Sequence, residues 1–365
     1  MKRRLQNRIA ESTATLPTAA VAATLLWWLP QGGYSPTYLL GWAAVALTAY
    51  ILAETAVAER LLRVRSHLIP ALYLIFVAAA GSLHPLQPST AATPCIAAAL
   101  CCLLKTADSQ QPQLHTFHAY LLLAAASLAA PPLLLLAPLL VTCQALYLRT
   151  ITMRTFTAAL LGLTLPYALW ATAAFTLSSL NALNTLNDSE GFLRETAVNH
   201  NSLNALTRHL DEVADPLQQP IKAITLHETP LASEWQQVLQ DAQRLTPQAF
   251  YNHILQKALP HSDDLATLAC ILLIAFTGNV HYLRKSLDDK TRVRMAYYTY
   301  ITLHAALLLW CALQPRQLHL LLPLLLLTTA PPAAHFVALT HTRTTNAWTF
   351  CLAAAIAALA AYTLR

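Results

Sequence analysis

Two short stretches place dense charge beside the apolar runs of this chain. The first is AETAVAERLLRVRSH, residues 53–67, with Glu54, Glu59, Arg60, Arg63 and Arg65. The second is HYLRKSLDDKTRVRM, residues 281–295, with Asp288, Asp289, Lys290, Arg292 and Arg294. A guanidinium presents its donors as a planar fork that grips phosphate or carboxylate at two points. Either stretch is thus a candidate binding site for an anionic group. Cations beside an apolar run also anchor topology and attract anionic lipid, and at the level of sequence both readings stand. Glu54 lies about one turn inside the expected membrane boundary, where an ionisable group is costly and turns to a partner or a wet cavity. Arg60, six residues on, is off its helical face, because neighbours on a helix are three or four residues apart. A partner for Glu54 must come from another helix.

Other chemistry leaves little trace. His304, His319 and His335 fall inside apolar runs. Two histidines on facing helices can hold a haem, but no spacing marks such a pair. Cys95, Cys101, Cys102, Cys143, Cys270, Cys311 and Cys351 all lie in apolar runs and form no CxxC, so neither a zinc site nor a disulfide framework is expected. There is no P-loop, HExxH, GxSxG or dinucleotide fingerprint. No cofactor and no metal are expected.

The elements that must position these residues follow from composition. The chain of 365 residues is 56% hydrophobic and only 11% charged, where a soluble domain carries roughly 25% charged residues. Apolar runs near 15–30, 36–57, 67–83, 89–106, 117–130, 131–148, 155–178, 263–283, 295–313, 317–340 and 345–363 predict about eleven membrane-spanning helices. With only 7 glycines and abundant leucine and alanine, helices are favoured over a transmembrane barrel. Trp27 and Trp28 close the first run, as an interfacial aromatic belt does. No small-residue cleavage site follows it, so a retained helix is expected there, not a signal peptide.

Basic residues set the orientation. Lys2, Arg3, Arg4 and Arg8, the 60–65 cluster, Lys105, Arg149, Arg154, the 284–294 cluster and Arg343 fall on one side of an alternating topology. Among the short loops on the other side only Arg316 is basic. By the positive-inside rule the N-terminus is cytoplasmic, 179–262 is periplasmic, and an odd number of spans leaves the C-terminus periplasmic. The net charge of +6 therefore does not imply nucleic acid. Pro131-Pro132 divides 117–148 into two arms, either two full spans or a hairpin reaching partway across. Pro331-Pro332 in the tenth run is expected to kink or break its helix. The acid-rich segment 179–262 has apolar residues at helical spacing, such as Leu203, Leu206 and Leu210, and reads as a small helical cap.

Two resemblances carry expectations of their own. NHNSLNALTRHL, residues 199–210, resembles the periplasmic-loop motif of O-antigen ligases and polymerases, which are multi-helix membrane enzymes with one large external loop. That resemblance implies that His200 acts on a lipid-linked sugar and Arg208 holds its phosphate. The motif's following glycine is absent here, and Asp211 and Glu212 stand nearby. RVRSHLIPALYLI (63–75), FTAALLGLTLPYALW (156–170), DDKTRVRMAYY (288–298) and APPAAHFVALTHTRTTNAWTF (330–350) resemble an uncharacterised family of polytopic inner-membrane proteins of Bacteroidota. This second likeness covers both membrane portions and implies location without mechanism.

The sequence reading is thus an all-α polytopic transmembrane helical bundle in three parts: 1–178, an acidic external segment 179–262, and 263–365. The expected function is non-enzymatic, in transport or in membrane scaffolding of envelope assembly. The alternative is a lipid-linked glycan polymerase or ligase acting at the external face. Expected partners are membrane lipids and other envelope proteins. Candidate binding residues are Glu54, Arg63, Arg65, Asp289, Arg292 and Arg294, with His200 and Arg208 catalytic under the alternative.

Overall fold

The computed structural model describes residues 12, 14–29, 35–62, 66–197, 262–339 and 343–363. Among the described residues there are eleven α-helices and no strand. They are α1 Thr15–Trp28, α2 Pro36–Ala58, α3 Leu68–Ala79, α4 Pro88–Lys105, α5 Pro112–Ala129, α6 Leu136–Cys143, α7 Met153–Ala197, α8 Ser262–Lys285, α9 Thr291–Leu313, α10 Leu318–Leu339 and α11 Arg343–Thr363. Eight stretches among them are long and apolar enough to cross a membrane, and α1 and α3 are shorter apolar helices. The helical bundle expected from the sequence is the fold found.

Local chemistry explains most helix boundaries. Pro36, Pro88 and Pro112 open α2, α4 and α5, where a missing N–H leaves no intrahelical bond unmade. α5 starts at Pro112, before the apolar run near 117, and its 18 residues rise about 27 Å. Its partner arm is less regular: a 3-10 turn at Pro131–Leu135, then α6, then a π turn at Gln144–Leu148. Gln144 is buried and donates its amide to Thr116 Oγ1 at 3.0 Å and Thr150 Oγ1 at 3.2 Å, which ties the two arms together. α7 continues to Ala197, beyond the apolar run that ends near 178.

The chain divides into two compact units, one of Met1–Leu163 with Tyr251–Arg365 and one of Thr164–Phe250. The first unit brings both charged stretches into one body. Its helices alternate in direction. At one end, Trp27 Nε1 donates to Tyr38 O at 3.2 Å and Thr363 Oγ1 to Ala79 O at 3.1 Å. At the other end, Tyr297 OH donates to Leu61 O at 3.2 Å and Lys285 Nζ to Leu339 O at 3.5 Å. That second, charged end gathers the turns after α2, α4, the α6 π turn and α8, together with the last residues of α10.

α10 sits at the centre and is buried along almost its whole length. Apart from His319, Thr328, Thr329 and His335 it is apolar all round, which is the pattern of a helix enclosed on every side. It runs unbroken through Pro331 and Pro332, although each proline removes one donor from the ladder. Close packing holds it there. Gly278 of α8 faces the backbone of Pro332, so near that a Cβ would lie 2.9 Å from the Pro332 carbonyl carbon.

Candidate functional site

The charged end is built from the close of α2. Arg60 N donates to Val57 O at 3.3 Å and Leu61 N to Ala56 O at 3.1 Å, the paired bonds of a Schellman cap. Arg60 takes the left-handed position of that cap, φ 48°, where glycine is usual and a side chain is strained. The cap turns the chain sharply and leaves Glu59 buried, its carboxylate side chain only 2% exposed.

Glu59 is met by Arg292 from the first turn of α9. Arg292 Nε donates to Glu59 Oε2 at 2.7 Å, and its Nη1 reaches Asp108 Oδ2 from the turn after α4. A cation in the first turn of a helix opposes the helix dipole, and α9 has no acid there. The two carboxylates from other elements supply the compensation that α9 lacks. Glu59 Oε1 is buried and has no hydrogen-bond partner among the described residues.

A second acid–base pair lies beside the first. His335 Nε2 and Asp289 Oδ2 are 3.3 Å apart, with side chains 2% and 4% exposed. An ionised carboxylate only accepts, so His335 carries its proton on Nε2. Aromatic rings enclose the imidazole. Tyr282 is 4.8 Å away and Tyr297 5.3 Å, centroid to centroid, with His281 at 5.8 Å. Tyr282 and Tyr297 stack on each other at 4.2 Å.

A third polar group lies deeper. His304 Nδ1 is 2.9 Å from Thr328 Oγ1. The Thr328 hydroxyl already donates back to Leu324 O and Leu325 O, so it accepts from His304. The imidazole then holds its proton on Nδ1 and leaves Nε2 as a bare acceptor. That Nε2 is buried without a partner among the described residues.

Next to the ion pairs is a cavity of about 880 Å³. It is lined by Ala56, Val57, Arg60, Leu61, Leu62, Ser66 and His67 from the close of α2 and the chain beyond it, and by Asp288, Asp289, Lys290 and Val293 from the approach to α9. A further cavity of about 650 Å³ between α1, α3, α10 and α11 is lined almost wholly by apolar side chains, such as Leu72, Ile75 and Ile356, and offers no chemistry. Among the described residues no group of three or more His, Cys, Asp or Glu converges as a metal site would.

The candidates read from sequence divide accordingly. Asp289 and Arg292 lie at the centre of the charged end, and Arg294 donates to Thr291 Oγ1 at 3.2 Å beside them. Glu54 is exposed on the outer face of α2 and does not line the cavity. Arg63, Arg65, His200 and Arg208 lie outside the described residues. Of the other histidines in apolar runs, His319 is exposed. Sequence reasoning missed Glu59, Asp108 and the partnering of His335. For Glu59 a signal existed: Val45, Thr48, Leu52, Thr55 and Glu59 follow one another at steps of three or four and are all buried, whereas Glu54 is off that stripe. No protein-family model, curated protein or solved structure matches this chain.

Proposed function

We propose that this chain is a polytopic protein of the bacterial inner membrane that moves a small polar or charged solute. In this reading the charged end faces the cytoplasm, and residues 179–262 and the C-terminus face the periplasm. The observation that carries it is the polar line running inward from that end. Tyr297 and His304 are seven residues apart on α9, and Thr328 and His335 are seven apart on α10. Seven residues bring two side chains to one helical face and separate them by about 10 Å. Asp289, His335, Thr328 and His304 thus form a series reaching along two adjacent spans. Ionisable groups inside a membrane are costly, and where they persist they mark solute or proton paths. A scaffold needs no such line, and a glycan enzyme needs groups at the opposite face.

Accessibility tests this reading. In a cysteine-free version of the full chain, Thr328→Cys should react with a small charged thiol reagent added from the charged end. Leu321→Cys, fully buried on the same helix, should not. If Thr328→Cys stays inert in membranes, the line is dry packing and the scaffold reading replaces transport.

Orientation is a separate prediction. A cysteine at 288 should label only from the cytoplasm and one at 220 only from the periplasm. Labelling of both from one side would refute the topology.

A further inference from the structure

We infer that the 880 Å³ cavity at the charged end is a binding site for a phosphate–ammonium headgroup. It is a site in its own right and does not depend on whether the chain transports a solute. Two cations from distant parts of the sequence face it, Arg60 after α2 and Lys290 before α9. Neither has an ion-pair partner among the described residues. Arg292 is different: it is occupied by Glu59 and Asp108 and does not line the cavity. A guanidinium and an ammonium lining one cavity are suited to sharing a phosphate.

The carboxylates define the other half of the ligand. Asp289 is engaged by His335. Asp288 is exposed and lines the same cavity as Lys290. A carboxylate beside a phosphate site repels a simple anion but accepts from an N–H donor. The combination therefore fits a primary ammonium joined to a phosphate better than a phosphate alone.

The remaining lining is apolar: Ala56, Val57, Leu61, Leu62 and Val293. Val57 is 63% exposed, and Leu47 and Tyr50 are exposed above it on α2. Glu54 is exposed on that same face between Tyr50 and Val57, so the apolar wall reaches the outer surface of α2 at Val57, where the acyl chain of a bound lipid would leave the cavity. The backbone agrees with a functional demand on Arg60. A non-glycine residue in the left-handed position of a helix cap is strained, and such strain persists where a side chain is required.

The test uses the full chain purified in detergent, with bound lipid counted by native mass spectrometry. The probes are phosphatidylethanolamine, phosphatidylcholine, phosphatidylglycerol and free phosphoethanolamine. Phosphatidylethanolamine should bind at least tenfold more tightly than phosphatidylcholine, whose quaternary ammonium has no N–H. It should also exceed phosphatidylglycerol. Arg60→Gly should cut that affinity about tenfold while leaving the melting temperature unchanged or higher, because glycine relieves the strained cap. Lys290→Gln should weaken binding similarly, and Asp288→Asn should abolish the preference over phosphatidylcholine. Competition by free phosphoethanolamine at equal concentration would assign the site to a soluble ligand of the same chemistry; failure to compete assigns it to lipid. Equal binding of all three lipids, or full affinity in both Arg60→Gly and Lys290→Gln, would overturn the inference.

Discussion

Arg292→Met should lower the stability of the bundle by about 3 kcal/mol, measured as unfolding of the purified chain in mixed detergent. The loss comes from Glu59. Its side chain is 2% exposed, and Arg292 Nε is its ion-pair partner at 2.7 Å. Removing the guanidinium leaves a buried carboxylate uncompensated, which costs far more than the pair itself contributes. Arg292 is 36% exposed, so water can partly replace it, and the lower end of the usual range applies. Two companions separate this account from general damage. Glu59→Gln together with Arg292→Met removes both charges and should recover more than half of the loss. Asp108→Asn should change stability by no more than about 0.5 kcal/mol, because Asp108 is 62% exposed and exposed pairs are worth little. A double variant no more stable than Arg292→Met alone would refute the buried-charge account.

Gly278→Val should lower stability by about 2–3 kcal/mol and disturb the Asp289–His335 pair as well. A Cβ at 278 would lie 2.9 Å from the Pro332 carbonyl carbon and 3.0 Å from the Ala333 nitrogen. Both atoms are backbone, so no side-chain rotation relieves the contact and the two helices must part. Helix propensity works the other way, favouring alanine over glycine by about 1 kcal/mol. Gly278→Ala therefore tests which term wins, and we expect net destabilisation. Gly81 is the milder comparison, because a Cβ there would lie 3.0 Å from Thr363 Cβ, in the last turn of α11, and no backbone atom is among its three nearest neighbours. Gly81→Ala should cost less than Gly278→Ala. His281 and Tyr282 follow Gly278 by one turn of α8 and contact His335. Separation at Gly278 should thus also expose His335, seen as faster chemical modification of histidine in Gly278→Val. A stable Gly278→Val with an unreactive His335 would show that this approach is not what holds α8 to α10.

What the sequence determined by itself is the set of helices. A helix in an apolar environment satisfies its own backbone hydrogen bonds, so each span is specified by its own residues. Runs of leucine and alanine were therefore legible one segment at a time. What only the tertiary structure decided is which charges meet. Glu54 and Glu59 sit in one short stretch, yet one is exposed and the other buried, because helical rotation and the cap at Arg60 turn them to different faces. Asp289 pairs with His335 across 46 residues, and Arg292 with Glu59 across 233. Those separations are set by the order in which the helices pack, which no local pattern encodes. Pro331 and Pro332 make the same point. Locally they argue for a break, but α10 remains one helix because neighbours enclose it and Gly278 admits its backbone at close range. Span identity is a local property of solvation, whereas partnership between spans depends on rotation, depth and packing, and these exist only once the bundle has formed.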